Sequence, residues 1–111
     1  MTENYSPAFK YAQEQVNKWT SQFDPQYWSP LEILARLTEE NGELARELNH
    51  RFGPKKKKFG EDIKEVGDEI SDMLFTLFCL ANSLHIDLDS SFNKMMQEKQ
   101  YGRDANRYQK K

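Results

Sequence analysis

Two stretches of this chain space their apolar residues as an α-helix would and carry acids along one edge of the stripe. The first holds Leu34, Leu37, Leu44 and Leu48, with Glu40, Glu43 and Glu47 just to one side. The second holds Ile63, Val66, Ile70, Met73, Leu74, Leu77 and Ala81, bordered by Glu65, Glu69 and Asp72. At 3.6 residues per turn, positions three apart lie about 60° apart in projection. Glu40 and Glu43 therefore share a face, and so do Glu69 and Asp72. Packing the two stripes together brings two carboxylate strips edge to edge.

Like charges crowded at the rim of a core cost energy unless something positive lies between them. A hard divalent cation held by oxygen ligands, Mg²⁺ or Mn²⁺ as a substitute, answers that need. Mg²⁺ keeps positions open for water and substrate phosphates, so such a site points to phosphate-ester chemistry. The alternative is ordinary acids on solvated helix faces, partnered by Arg36 and Arg46. One acidic pair on a helix is commonplace. Two pairs, each beside an apolar stripe rather than opposite it, favour a site.

At 111 residues the chain is expected to form one all-α domain, residues 1–111. Its apolar fraction of 37% is low and its charged fraction of 31% high, so a lone protomer has a thin core. Subunit association is the natural remedy. The net charge of −2 gives no global pull toward nucleic acid or anionic membrane, so neither is expected as a partner. Cys79 is the sole cysteine and excludes an internal disulfide; with no second Cys or paired His nearby it is no zinc site. It is expected at a helix surface or interface. The N-terminus is polar without an apolar h-region, and the run Met73 to Ala81 is too short to span a bilayer. A soluble, cytoplasmic protein is expected.

Along the chain, Ser6-Pro7 reads as a cap and first turn for a helix carrying Phe9, Ala12, Val16 and Trp19. Phe23 to Trp28 is an aromatic turn. Trp19, Phe23 and Trp28 either plug the space between helices or supply a stacking wall for a nucleobase. Ser29-Pro30-Leu31-Glu32 predicts a capping box opening a helix that runs to about His50 or Arg51. Gly42 in mid-helix costs about 1 kcal/mol relative to Ala and suggests close approach of a ligand or helix. Residues 53–60 form a linker containing Lys55 to Lys58, either solvated or reaching substrate phosphates. A second acidic helix is predicted from Glu61 to about Leu84. Asp87 or Asp89 can then cap a shorter helix through Phe92, Met95 and Met96. The tail, 101–111, is basic and expected to be partly disordered.

At the acidic helices the chain resembles a known family. Glu39-Glu40-x-x-Glu43 followed by Glu69-x-x-Asp72 is similar to the paired acidic signature of the MazG-like, all-α nucleoside triphosphate pyrophosphohydrolases. The surrounding Glu40-Asn41-Gly42-Glu43-Leu44-Ala45 and Asp68-Glu69-Ile70-Ser71-Asp72-Met73-Leu74-Phe75 match as well, and the likeness spans about Trp19 to Met95. It implies a four-helix-bundle-like protomer acting as a homodimer or homotetramer. It implies Mg²⁺-dependent hydrolysis of a (d)NTP to (d)NMP and pyrophosphate, with clearance of non-standard nucleotides a plausible role. Glu40, Glu43, Glu69 and Asp72 would hold the metal. Glu39 would orient or deprotonate the attacking water. Trp19, Phe23 and Trp28 would surround the base. Asn82 would contact phosphate or base, or else be a surface Asn. The family's Lys-Met is followed by an Asn and then Lys or Arg that hold phosphates. Here Lys94-Met95 begins such a stretch but Glu98 stands where the Asn belongs, which leaves Lys94, Arg103 and Arg107 as candidates. Two alternatives stay open: the same fold and metal acting on another substrate such as phosphoribosyl-ATP, and a non-catalytic helical interaction module.

Overall fold

The computed structural model describes residues 8–54 and 65–111. The Ser6-Pro7 cap, Lys55 to Lys58, Ile63 and the expected helix start at Glu61 lie outside them. Four α-helices follow in order: α1 Ala8–Thr20, α2 Pro30–Phe52, α3 Val66–Ser83 and α4 Leu88–Met95. There is no strand among the described residues. After α4 the chain continues as a π-helical segment, Met96–Arg103.

Local chemistry sets the helix ends. Ser29 Oγ accepts from the Glu32 backbone N–H at 3.3 Å while Glu32 Oε1 accepts from the Ser29 N–H at 3.1 Å. The capping box thus forms as the sequence predicts, and the two hydrogen bonds hold the Glu32 carboxyl below its usual range. α3 stops at Leu84, and His85 takes a left-handed conformation with φ 57°. The two aspartates that follow divide the capping work. Asp87 Oδ1 caps its own helix by accepting from the Ser90 N–H. Asp89 is buried and reaches across to α1, accepting from the Phe9 N–H at 3.0 Å and the Lys10 N–H at 2.8 Å.

α2 and α3 form the central pair and run antiparallel: Glu40 meets Thr76 in mid-helix, and Arg51 near the end of α2 meets Glu65 at the start of α3. α1 lies against α3, with Phe9 near Phe78 and Trp19 near Phe75, and α4 packs on α1. The expected four helices are present, but they form a chain of pairs instead of closing around one centre. At eight residues α4 is too short to lie along α2 as well.

The contact face of α2 differs from the expected one. The apolar stripe centred on Leu37 should have been the buried line. The buried residues of α2 are Ile33, Glu40 and Glu47, and those of α3 are Glu69, Thr76 and Ala81. The helices meet along the seam between apolar stripe and acid strip. That rotation draws three carboxylates inward and leaves Leu34 and Leu48 substantially exposed. Only Val16, Ile33 and Ala81 are buried apolar residues among the described residues. Gly42 is not explained by crowding within the chain, since a Cβ built there meets nothing within 4 Å.

Candidate active site

Two features adjoin at the middle of the α2–α3 pair. The first is acidic. Glu69 is wholly buried, and Glu40 and Glu47 are nearly so, at 3% and 5% exposure. Glu43 and Asp72 are half-buried on the same two helices. The Thr76 hydroxyl donates to Glu40 Oε1 at 2.5 Å, and Arg36 Nε lies 3.7 Å from Glu40 Oε2. Arg51 Nε stands 3.9 Å from Glu47. Glu43, Glu69 and Asp72 are likewise engaged in polar or electrostatic interactions. Glu39 is exposed and pairs with Arg36 at 3.7 Å. So Arg36 serves two acids on consecutive positions, one in water and one in the interior.

The second feature is a cavity of about 380 Å³ between α1, the 21–28 turn, α2 and α3. That lies inside the roughly 300–1,000 Å³ range of small-molecule sites. Trp19, Phe23 and Trp28 line it, and each remains about half exposed. Trp19 stands edge-on to Phe23 at 4.9 Å and to Phe75 at 5.8 Å, so one wall is a cluster of rings. Thr76 and Arg36 also line the cavity. Through them it adjoins the buried Glu40.

Cys79 lines the cavity too, where α3 faces the other elements. Burial, and after it the negative charge of Glu40, pushes its thiol from the ordinary 9.0 up to about 11. It is a small neutral wall residue at neutral pH.

The remaining candidates are placed differently. Asn82 turns inward: its Nδ2 donates to the Gln13 carbonyl and to the Tyr27 hydroxyl, both at 3.0 Å, and its Oδ1 accepts from Gln13 Nε2 at 2.9 Å. The Tyr27 hydroxyl donates onward to Asn17 Oδ1 at 2.8 Å, and Gln26 Nε2 donates to the Asn17 carbonyl at 3.1 Å. This chain of hydrogen bonds fastens the aromatic turn to α1 and α3. Lys94 is exposed on α4. Arg103 and Arg107 both pair with Asp104, at 3.4 Å each, on a segment whose main contacts are with α4.

Sequence reasoning missed Thr76, Phe75, Arg36 as a cavity residue, and the buried role of Glu47. Thr76 did leave a signal. It is the one polar residue within the apolar run Met73 to Ala81, four positions after Asp72 and seven after Glu69, on the acidic side of the helix.

The donor set is anionic and all oxygen, the chemistry Mg²⁺ prefers. Among the described residues, no three His, Cys, Asp or Glu side chains are gathered closely enough to hold an ion.

The sequence profile of the MazG nucleotide pyrophosphohydrolase domain matches residues 28–108. The chain belongs to the MazG nucleotide pyrophosphohydrolase family. Two relatives agree with it, one of them both by sequence and as a solved structure. The uncharacterized protein YpjD of Bacillus subtilis (strain 168) is 50% identical over 102 residues, covering 92% of this chain and 91% of its own. The crystal structure of Bacillus subtilis YpjD superposes with a TM-score of 0.74 at 46% identity, over 89% of this chain and 99% of that one. The Bacillus-conserved MazG protein, a nucleotide pyrophosphohydrolase, superposes with a TM-score of 0.70 at 40% identity, over 87% and 92%. This MazG protein is thus an enzyme of the nucleotide pyrophosphohydrolase class, and the matched span contains α2 and α3 with all the acids discussed above. No helix among its described residues is long and apolar enough to cross a membrane.

Proposed function

We propose that this MazG enzyme hydrolyses nucleoside triphosphates, ribo or deoxyribo, to the monophosphate and pyrophosphate, using Mg²⁺. One observation carries the reading: Arg36 and Thr76 belong at once to the aromatic cavity and to the buried carboxylate Glu40. A planar base held among Trp19, Phe23 and Trp28 would therefore leave its phosphates close to the acids of α2 and α3. Glu40, Glu43, Glu69 and Asp72 would hold the metal after drawing closer together than they stand in the free chain. Bound there, Mg²⁺ would neutralise triphosphate charge and lower the pKa of a water ligand. Thr76 fixes one oxygen of Glu40, which orients that carboxylate before any ligand arrives. Glu39 is exposed beside Arg36 and free of the core, so it can turn to accept a proton from the attacking water. Lys94, Arg103 and Arg107 are the available cations for the leaving pyrophosphate, with Arg103 and Arg107 already committed in part to Asp104. Asn82 acts at one remove, by holding the aromatic wall in place.

The enzyme is proposed to work as a homodimer or homotetramer in the cytoplasm, consistent with its small buried apolar core. Clearance of non-standard nucleotides suits a wall that stacks on any base without reading its edge. The test is pyrophosphate release with and without Mg²⁺ for wild type and Glu43→Ala, over a panel of canonical and altered triphosphates and phosphoribosyl-ATP. Release that requires Mg²⁺ and is lost in Glu43→Ala supports the reading. Release that is indifferent to EDTA and to the substitution overturns it.

A further inference from the structure

We propose that Gln26 reads the edge of the base: its side-chain oxygen accepts from the exocyclic amino group of cytosine or adenine and disfavours their deaminated counterparts, uracil and hypoxanthine. The proposal deepens the reading above and rests on it in one respect, that a nucleobase fills the aromatic cavity. It begins from a carboxamide held by one end only. Gln26 Nε2 donates to the Asn17 carbonyl at 3.1 Å, and lies 3.1 Å from Asn17 Oδ1 and 3.3 Å from the Thr20 hydroxyl. A backbone carbonyl only accepts, so the end of the amide that meets it has to be the NH2 group. The support beneath is firm. Thr20 is buried at 4% exposure, and its hydroxyl donates to the Val16 carbonyl at 2.8 Å. Asn17 Oδ1 also accepts from the Tyr27 hydroxyl at 2.8 Å. With the nitrogen turned to α1, the oxygen is the end left for a ligand. Among the described residues Gln26 Oε1 accepts no hydrogen bond.

Gln26 lines the cavity from the same turn as Phe23 and Trp28. A base stacked on those rings spends its faces on them, so its hydrogen-bonding edge is what remains for a polar neighbour in the turn. The other polar side chains of the lining offer the edge no comparable acceptor. The hydroxyls of Thr20, Tyr27 and Thr76 each donate within the chain. Arg36 and the indole N–H groups of Trp19 and Trp28 can only donate. Gln26 Oε1 is thus the one side-chain carbonyl among the described lining residues. An acceptor selects for a donor. Cytosine N4 and adenine N6 are amino groups that project beyond the ring. Deamination puts a carbonyl oxygen in the same place, so that lone pairs face lone pairs, and a repulsive contact of this kind discriminates as well as a lost bond does. Gln26 is itself exposed, so water can take the place of a lost partner. The discrimination is therefore that of a single neutral hydrogen bond, about three- to tenfold, and not the roughly 10⁴-fold of a fully enclosed site. The rings accept any base, and Gln26 grades what they accept.

The test compares matched pairs of nucleotides that differ by this one group. The kcat/KM for pyrophosphate release in Mg²⁺ is measured for CTP against UTP and for ATP against ITP. Each is measured in wild type and in Gln26→Met, which keeps the length of the side chain and removes the acceptor. Wild type should favour the amino member of each pair by about three- to tenfold, and Gln26→Met should bring both ratios to about one. A loosened turn slows both members of a pair alike, so it changes the rates and leaves the ratio. The affinities of CMP against UMP and of AMP against IMP, by calorimetry in EDTA, read the same preference without metal or turnover. A wild-type ratio near unity in either pair overturns the proposal and leaves the hydrolytic reading standing. A preference that survives intact in Gln26→Met overturns it too. Release from none of the four triphosphates overturns the hydrolytic reading instead, and the monophosphate affinities then decide this proposal by themselves. Gln26→Leu takes the place of Gln26→Met should that variant fail to fold.

Discussion

Cys79 reports on the charge of Glu40 without any turnover. Its thiol is held at about 11 instead of 9.0 by burial first and by Glu40 second. Glu40→Gln keeps the shape and removes the charge. Since burial is the larger cause and is untouched, the substitution should return less than half of the two-unit displacement. A full unit is a tenfold change in thiolate at a given pH below the pKa, so the gain should fall between about two- and tenfold. The assay is alkylation by iodoacetamide followed by intact mass from about pH 8 to 11. Cys79→Ser measures the lysine alkylation that also rises over this range, and the difference from it belongs to the one cysteine in the chain. The midpoint of the pH profile measures the pKa and its upper plateau measures access, so a loosened pocket cannot pass for an electrostatic effect. Adding Mg²⁺ to wild type at about pH 9, where it stays in solution, should speed alkylation, because a cation at Glu40 cancels the same charge, and should speed that of Glu40→Gln much less. An unchanged midpoint in Glu40→Gln would show that Glu40 does not act on the thiol. An unchanged wild-type rate in saturating Mg²⁺ at that pH would remove Glu40 from the metal site. The same displacement carries a stability signature. A thiol whose folded pKa is raised above the ordinary 9.0 contributes stability that is whole below that pH and is lost as pH climbs toward 11. Cys79→Ser should therefore flatten the alkaline limb of the denaturation profile.

Other outcomes follow from the packing. Asp89→Ala strips an acceptor from two backbone donors at the start of α1 and should cost about 2–3 kcal/mol in guanidinium unfolding; Asp89→Asn, which keeps one acceptor, should cost about half. An unchanged midpoint would mean that water replaces the cap without loss. Tyr27→Phe breaks the link between Asn82 and Asn17, so it should raise KM for the nucleotide several-fold with little change in kcat. A fall in kcat at constant KM would place Tyr27 at the chemistry instead. Gly42→Ala should stabilise by about 1 kcal/mol in thermal melts, since no neighbouring atom meets the added methyl. Destabilisation would show that something outside the single chain approaches there.

What the sequence could reveal depended on whether one residue had one task. Ser29, Pro30 and Glu32 have no role other than starting α2, and their capping box was legible from spacing alone. The aromatic wall was legible because Trp19, Phe23 and Trp28 cluster on either side of a turn, where rings have few other uses. The seam between α2 and α3 was not. A periodic apolar stripe shows that a helix has a face to bury, and the simplest reading gives that face to the nearest helix. Here the stripe is shared. Its acidic edge goes to the α2–α3 contact, which is why Glu40, Glu47 and Glu69 are interior, and its apolar remainder stays outside. Burying a carboxylate in place of a leucine costs several kcal/mol unless partners repay it. Arg36, Arg51 and Thr76 supply such partners, but Arg36 and Arg51 read as ordinary surface charge in a linear sequence. An apolar row left in water beside buried acids is costly on both counts for an isolated chain. It becomes economical if the acids meet a cation on one side of the layer while the row meets a second subunit on the other. Metal and partner then strengthen each other, because both favour the same rotation of α2 against α3. Mg²⁺ should accordingly tighten self-association, measured by sedimentation as a function of protein concentration with and without EDTA. If the dimer constant is the same in both, the two faces are independent and the rotation of α2 is set by the chain alone.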